Sequence, residues 1–112
     1  MYQTITDSTG IARDELGFPG VTVQLLSGDG MAGGMYILTT MAPGSAIPAH
    51  KHTNANEFVY VVSGDFVEAG KSYRQGTIFF GAAGTPHGPH STATGCVVLT
   101  HYSGPLDFQP VS

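Results

Sequence analysis

The sequence predicts an all-β barrel or sandwich, and two observations support that fold class. Sixteen glycines and seven prolines are spread along the whole chain of 112 residues, which suits short strands joined by tight turns. Between them lie five apolar, β-branched runs at 21–26, 35–41, 57–62, 76–80 and 96–102. Several runs are continuously apolar, which indicates strands buried on both faces, one toward a barrel interior and the other toward a second sheet or another subunit.

We expect one domain preceded by a short N-terminal arm, because 112 residues allow one compact core. The best helical candidate is IARDELG at 11–17, but it runs into Gly17, Pro19 and Gly20 and shows no sustained helical period. We therefore assign residues 1–20 to an arm that caps the barrel or lies loose, and residues 21–112 to the barrel domain.

The charge pattern excludes several partners. The net charge is −4, and Arg13, Lys51, Lys71 and Arg74 form no basic patch, which argues against nucleic acid. The N-terminus lacks a basic region followed by an apolar one, and no stretch approaches the roughly 18 apolar residues of a membrane span. We therefore expect a cytoplasmic protein with no membrane partner.

The low charge and the cysteine count add two expectations. Charged residues make up 11% of the chain, less than half of the usual ~25%, and such an uncharged surface favours a homodimer. Cys96 is the only cysteine, which rules out an internal disulfide and a cysteine-based zinc site within one chain. Any metal ion must therefore be bound by histidine and carboxylate.

The histidines have the spacing of a metal site. His50 and His52 are separated by one residue, so on an extended segment both imidazoles leave the same face. Glu57 follows after a four-residue turn that would return its carboxylate on the next strand, and His87 lies on a turn rich in Gly and Pro. Three imidazoles and one carboxylate suit one divalent ion, namely Fe(II), Mn(II), Ni(II) or Zn(II).

These residues resemble the first cupin motif, whose elements here are Gly44, His50, His52, Glu57 and Gly64. Gly64 is expected to end the strand that Glu57 begins. The second cupin motif is matched at Gly76 and His87, but Ala82 replaces the usual proline and Ser91 the usual asparagine. The resemblance covers residues 21–108 and implies a double-stranded β-helix, the jelly-roll barrel of the cupins, with the metal inside its mouth.

Two groups of cupins are similar to particular segments. QLLSGDG, APGSAIPAHKHTNANEF and YSGPLDF resemble the group that includes acetylacetone-cleaving dioxygenase, in which three histidines hold Fe(II) and a β-diketone chelates it as an enolate before dioxygen attacks. That resemblance implies iron ligands at His50, His52 and His87, with Glu57 either a fourth ligand or an acceptor behind the ligands. The stretch 64–96 is similar to the cupin half of zinc-dependent anti-sigma factors, a metal-holding module.

Two classes of function therefore stay open. The first is a non-haem iron dioxygenase-like enzyme that acts on a small enolisable, β-diketone-type carbonyl compound in an aromatic-rich cavity, with Fe(II) favoured. No residue identifies itself as its general base, and Glu57, His90 and His101 are the candidates. The second is a non-enzymatic cupin that binds or senses a metal or a small molecule. Sugar or keto-acid isomerisation is a third, disfavoured by the shortage of Arg and Lys to grip a carboxylate or phosphate.

Overall fold

The computed structural model describes residues 1–29 and 34–111, which are almost entirely strands and loops. A 3-10 helix covers Ser8–Gly10. The strands in these ranges are β1 (Asp14–Glu15), β2 (Val21–Gly28), β3 (Met35–Met41), β4 (Ala46–Ile47), β5 (His50–Lys51), β6 (Glu57–Glu68), β7 (Lys71–Arg74), β8 (Ile78–Gly81), β9 (His90–Ser91), β10 (Cys96–Tyr102) and β11 (Gln109–Pro110). The all-β prediction is confirmed. The predicted barrel domain and the segment QLLSGDG both extend to residues outside the described ranges.

The strands form a curled antiparallel sheet around one core. Its order is β1-β2-β3-β10-β6-β9-β4, with β7 and β8 also paired to β6, and a two-stranded sheet joins β11 to β5. The start of β6 pairs with β8 and β10, whereas its end pairs with β7 and β9. The central strand therefore contributes to both walls of the barrel.

Gly64 bends β6 and does not end it, so the prediction that the strand stops there is wrong. The strand continues to Glu68. Gly64 has a φ of +80°, which L side chains rarely adopt, and a Cβ there would lie 2.0 Å from the carbonyl oxygen of Gly95. The missing side chain lets the backbone preceding β10 approach β6 closely where β6 passes between the walls.

Apolar side chains from both walls fill the interior. The buried cluster consists of Val21, Met41, Ile47, Val59, Val61, Phe66, Cys96 and Val98. Buried and more exposed positions alternate along β6 and β10, because successive side chains leave opposite faces of a strand.

The N-terminal segment is attached to the sheet by a strand, and the helical candidate at 11–17 forms no helix. Asp14–Glu15, inside that candidate, pairs with β2. Gln24 also holds the segment, since its Nε2 donates to the carbonyl oxygens of Ser8 and Ile11 at 2.8 and 2.9 Å. Pairing with the sheet gives the backbone partners that a helix of one or two turns would lack at its ends. In the described ranges, no helix is long and apolar enough to cross a membrane.

One outer face of the curled sheet is apolar and exposed. Phe58 and Tyr60 of β6 are 40% and 38% exposed, and their register partners Phe80 and Ile78 on β8 are 68% and 58% exposed. The described residues provide no second sheet over this face. The continuously apolar runs were explained by burial against either a second sheet or another subunit, and only burial against another subunit stays open.

Candidate metal centre

Three chain segments bring the four candidate ligands together inside the barrel mouth. His50 lies on β5 with His52 directly after it, and Glu57 is the first residue of β6. His87 lies in the loop between β8 and β9, where its backbone N–H and C=O exchange two 2.9 Å hydrogen bonds with those of His50. This bridge places the third imidazole beside the first.

The donor atoms of the four side chains converge. One atom from each lies within 4.8 Å of the other three. Oε2 of Glu57 is 3.0 Å from Nε2 of His52 and 3.1 Å from Nε2 of His87, and Nε2 of His87 is 2.9 Å from Nε2 of His50. The Glu57 oxygen thus lies among the imidazole nitrogens and not behind them.

Backbone carbonyls orient two of the rings. Nδ1 of His50 donates to the carbonyl oxygen of Pro48 at 2.8 Å, and Nδ1 of His52 donates to that of Asp107 at 2.5 Å. Because a carbonyl oxygen can only accept, each of these rings carries a proton on Nδ1, which leaves Nε2 to present a lone pair. Both rings are therefore held in the orientation in which imidazole ligates a metal.

The donor set fits a divalent cation. Nε2 of His52 and Oε2 of Glu57 are buried and have no hydrogen-bond partner, an arrangement that is costly unless a cation lies between such atoms. Imidazole nitrogens together with a carboxylate oxygen suit Zn(II), Fe(II), Mn(II) and Ni(II). The cluster could hold one such ion, and its chemistry does not select among the four.

Burial and neighbouring charges set the protonation of the centre. Burial lowers the pKa of His50 to about 4 and also lowers the pKa of His87. Burial alone would raise the pKa of Glu57, but the contact with His52 and the other histidines lowers it. Burial likewise opposes protonation of His52, whose pKa is nevertheless raised by Glu57 and Asp107. At neutral pH, His50 and His87 are neutral and Glu57 is ionised, which are the forms that bind metal.

A largely apolar cavity of about 160 Å³ adjoins the centre, with His50, His52 and Glu57 in its wall. A cavity of roughly 150 Å³ accommodates benzene, so a ligand of about six or seven non-hydrogen atoms fits. The hydroxyls of Thr39, Thr100 and Tyr102 belong to lining residues. Burial raises the pKa of the Tyr102 phenol, which therefore stays neutral.

A C-terminal segment, which we call the strap (residues 104–111), closes over the mouth of this cavity. Phe108 stacks on His50, with ring centroids 4.2 Å apart. The Asp107 carboxylate accepts hydrogen bonds from the backbone N–H and the hydroxyl of Thr53 at 2.7 and 2.5 Å. Since β11 of the strap also pairs with β5, the strap is fastened directly to the segment that carries the His-x-His pair.

His90 lies beside the centre but outside the donor set. It begins β9, is buried, and lines the cavity. Its Nδ1 lies 2.5 Å from Oε2 of Glu68 at the end of β6. Burial alone would raise the pKa of Glu68, but the contact with His90 and the hydrogen bond from the Gly88 N–H lower it. Glu68 is thus ionised beside the imidazole.

His101 lies on the other side of β10 from the cavity. Its neighbours Thr100 and Tyr102 line the cavity, and the alternation of side chains along a strand turns His101 outward. Its ring there contacts Tyr36, with centroids 4.6 Å apart. Of the three candidate bases, the structure brings Glu57 and His90 to the site and leaves His101 out.

Three partners of the site have no counterpart among the sequence predictions. Pro48 and Asp107 act through backbone carbonyls, which any residue type provides, and Asp107 is 55 positions from His52. Glu68 meets His90 because β6 and β9 pair in that register. Only the pairing of distant strands creates this contact, so no local sequence signal could have found it.

The barrel has clear counterparts among solved structures. The polyketide cyclase RemF from Streptomyces resistomycificus matches with a TM-score of 0.84 and 19% identity over 99% of this chain and 87% of that one. A putative acetylacetone dioxygenase from Methylibium petroleiphilum matches with a TM-score of 0.77 and 16% identity over 100% and 88%. A chain in the Rhodobacter sphaeroides complex of SigE with the anti-sigma ChrR matches with a TM-score of 0.69 and 22% identity over 83% and 49%. At these identities the likeness shows the fold, and the predicted cupin jelly roll is confirmed.

The family comparison covers nearly the whole chain. No match was found among curated proteins. The model of the ChrR cupin-like domain matches residues 6–107, a range that includes all four candidate ligands and both cupin motifs. The chain therefore belongs to the family of ChrR cupin-like domains.

Proposed function

We propose that the chain is a metal-dependent cupin enzyme of the non-haem iron dioxygenase type, acting on a small enolisable carbonyl compound of the β-diketone kind. The observation that carries this proposal is that the His50, His52, Glu57 and His87 cluster adjoins a largely apolar cavity of about 160 Å³. Such a cavity suits a small neutral ligand better than a highly charged one. Fe(II) is the favoured metal, and Zn(II), Mn(II) or Ni(II) suit the same donors.

A bound divalent ion supplies Lewis-acid polarisation of a carbonyl oxygen, and iron also supplies redox chemistry with dioxygen. The protein orients the donors beforehand, since Pro48 and Asp107 fix the rings of His50 and His52. The strap and the apolar wall keep bulk water from the ligand. Enolisation also needs a group that accepts a proton from carbon, and of the candidates Glu57 and His90 face the cavity.

Metal analysis of protein purified anaerobically, followed by oxygen uptake with a panel of β-dicarbonyl compounds, tests the proposal. We expect about one iron per chain and oxygen uptake that depends on one of the compounds. If the protein carries zinc and no compound causes oxygen uptake after reconstitution with iron, the dioxygenase proposal is contradicted.

A second candidate is a non-enzymatic module that senses a metal or a small molecule. The match to the ChrR cupin-like domain and the likeness to a chain of the SigE complex favour it. In that function the four donors would hold a metal such as zinc, and a separate protein would respond to occupancy of the cavity. Ligand binding by the zinc form without any turnover would support this candidate over the enzyme.

A further inference from the structure

Glu68 and His90 form a pair next to the metal centre, in which His90 is buried and Glu68 is half-buried. They occupy partnered positions in the register of β6 and β9, and Oε2 of Glu68 is 2.5 Å from Nδ1 of His90. The other carboxylate oxygen, Oε1, accepts a hydrogen bond from the Gly88 N–H at 2.6 Å. Both oxygens of Glu68 are therefore engaged, so the carboxylate is held in one orientation toward His90.

The ring of His90 borders two cavities. It lines the cavity beside the metal centre and also a second cavity bordered by Phe79 and Phe80. Its centroid is 5.4 Å from the centroids of both His50 and His87. Because Nδ1 faces Glu68, Nε2 is the nitrogen of His90 that is left to meet a molecule in either space.

The pair is poorly explained by stability alone. The cost of removing an imidazole and a carboxylate largely from water offsets most of their mutual attraction, so such a pair adds little to the stability of the fold. A polar group held rigidly in an otherwise apolar cavity is instead the usual device for orienting a ligand. A carboxylate that accepts a hydrogen bond from an imidazole also fixes which ring nitrogen carries the proton.

We propose that His90 anchors the small-molecule ligand through Nε2, and that Glu68 is the positioning residue that holds His90 for this contact. The inference rests on the proposed function for the class of ligand. It specifies a small compound with one oxygen that meets the metal centre and a hydroxyl, such as that of an enol, that donates a hydrogen bond to Nε2 of His90. Glu68 acts only through His90 and the 88–90 backbone.

Binding of acetylacetone, whose enol has a hydroxyl, and of hydroxyacetone to the zinc-loaded protein, measured by calorimetry, tests this inference. We expect His90→Phe, which keeps a ring of similar size, to weaken binding of both probes about 10-fold, as loss of one hydrogen bond implies. Glu68→Gln should weaken binding several-fold, and Glu68→Asp should restore part of it. His101→Phe, the same change on the outer side of β10, should alter binding less than twofold.

Two further readouts separate anchoring from a structural role. Zinc content should stay near one per chain in His90→Phe. His90→Gln is a second variant, to be used if His90→Phe fails to fold, and it should also keep its zinc. Nitrogen NMR of the wild type should show His90 protonated on Nδ1, and Glu68→Gln should abolish that preference.

Unchanged probe binding in both His90 variants, loss of zinc with them, or an equal effect of His101→Phe would overturn the inference. Failure of both probes to bind the wild-type zinc protein would overturn it as well. The zinc form needs no dioxygen chemistry, so a negative oxygen-uptake result would contradict the proposed function without affecting this measurement.

Discussion

Backbone hydrogen bonds join His50 to His87 and orient two of the three ligand rings, so metal binding depends on the individual side chains. His50 and His87 are joined by two main-chain hydrogen bonds, and the rings of His50 and His52 are each fixed through Nδ1. The backbone would therefore keep its shape if one imidazole were removed, and the loss would fall on the donor set.

We expect His50→Ala or His87→Ala to remove most of the bound metal. Loss of a direct ligand should lower metal affinity by more than the ~10–100-fold that loss of an outer partner brings. Elemental analysis after gel filtration measures the bound metal. His101→Ala is the matched control, because His101 lies on the outer side of β10 and its removal should leave the metal in place. Full metal content in either ligand variant would refute the assignment.

Gly64 is the residue at which a single methyl group should harm the fold most. A Cβ there would lie 2.0 Å from the Gly95 oxygen and 2.8 Å from the Cys96 Cα, and backbone atoms cannot move aside cheaply. We expect Gly64→Ala to lower the free energy of unfolding by about 3–5 kcal/mol or to prevent folding. Urea denaturation measures the effect.

Gly70 provides the control for that prediction. Its φ of +87° is similar, but a Cβ there would meet nothing within 4 Å. Gly70→Ala should therefore cost only the ~1–2 kcal/mol of a left-handed alanine. Equal losses in the two variants would show that the close approach of β6 and the Gly95 backbone does not matter.

The residue-level prediction from sequence succeeded where a contact follows from spacing along one strand. His50 and His52 were predicted to share a face, and Glu57 to return on the next strand; the structure brings these side chains together with His87. The sequence could not predict the roles of Glu68 and Asp107. The contact of Glu68 depends on how distant strands pair, and Asp107 acts through a backbone carbonyl.

At the scale of elements, the strap is the part of the fold that links the C-terminal segment to the centre. Its Asp107 carbonyl orients His52, and its Asp107 carboxylate is held by Thr53. The two interactions reinforce each other, since the side chain fastens the residue whose backbone orients the ring.

We expect Asp107→Ala to weaken metal binding about 10-fold, the lower end of the range for an outer partner. Competition with a chromophoric chelator measures the affinity. Asp107→Asn keeps one acceptor oxygen for Thr53 and should fall between the wild type and the alanine variant. An alanine variant with unchanged affinity would show that the strap does not orient His52.

The 92–94 turn is held to β6 by Asp65. Its carboxylate accepts from the Thr94 hydroxyl, from the Ala93 and Thr94 N–H groups at 3.1 Å, and from the Thr92 hydroxyl at 3.0 Å. These bonds hold the pKa of Asp65 well below its ordinary value. A carboxyl with a lowered pKa in the folded state stabilises the fold above its unfolded pKa and loses that effect as the pH falls toward the folded value.

The pH dependence of thermal unfolding checks this role. Asp65→Asn should melt at a lower temperature than the wild type at pH 7, because the amide replaces an acceptor by a donor. The difference should shrink as the pH falls below about 4, the unfolded pKa of aspartate. The other carboxyl groups titrate in both proteins, so their effect cancels in the difference between the two melting temperatures. A difference that stayed constant from pH 6 to pH 3 would exclude Asp65 as its source.

Elements were predicted best where the apolar pattern decided them. The runs at 35–41 and 96–102 coincide with β3 and β10. The helical candidate at 11–17 failed because pairing with β2 gives its backbone more partners than a short helix would. From the sequence, Gly64 predicts a strand end because glycine often separates elements, whereas in the structure it permits a bend.

At the scale of the whole molecule, the outer face of the sheet is a large exposed apolar surface among the described residues. Register pairs across four strands place on one face the residues Tyr36, Leu38, Leu99, His101, Phe58, Tyr60, Ile78 and Phe80. None of them is Asp, Glu, Lys or Arg, and three are exposed by 40% or more and aromatic. Interfaces are enriched in aromatic residues and depleted of charge at their centre, and a face without charge offers a charged partner nothing to pair with.

We therefore propose that two copies of the chain associate through this face. A two-fold interface uses the same patch on both subunits, and an uncharged, aromatic patch is complementary to itself. Phe80→Glu or Ile78→Glu would place like charges inside such an interface, so sedimentation velocity should show a dimer for the wild type and a monomer for either variant, each with its metal retained. Ser72→Glu is the control, because Ser72 is exposed on β7, which pairs with the end of β6 away from Phe58 and Tyr60. A monomeric wild type at micromolar concentration, or a Phe80→Glu variant that stays dimeric, would contradict the proposal.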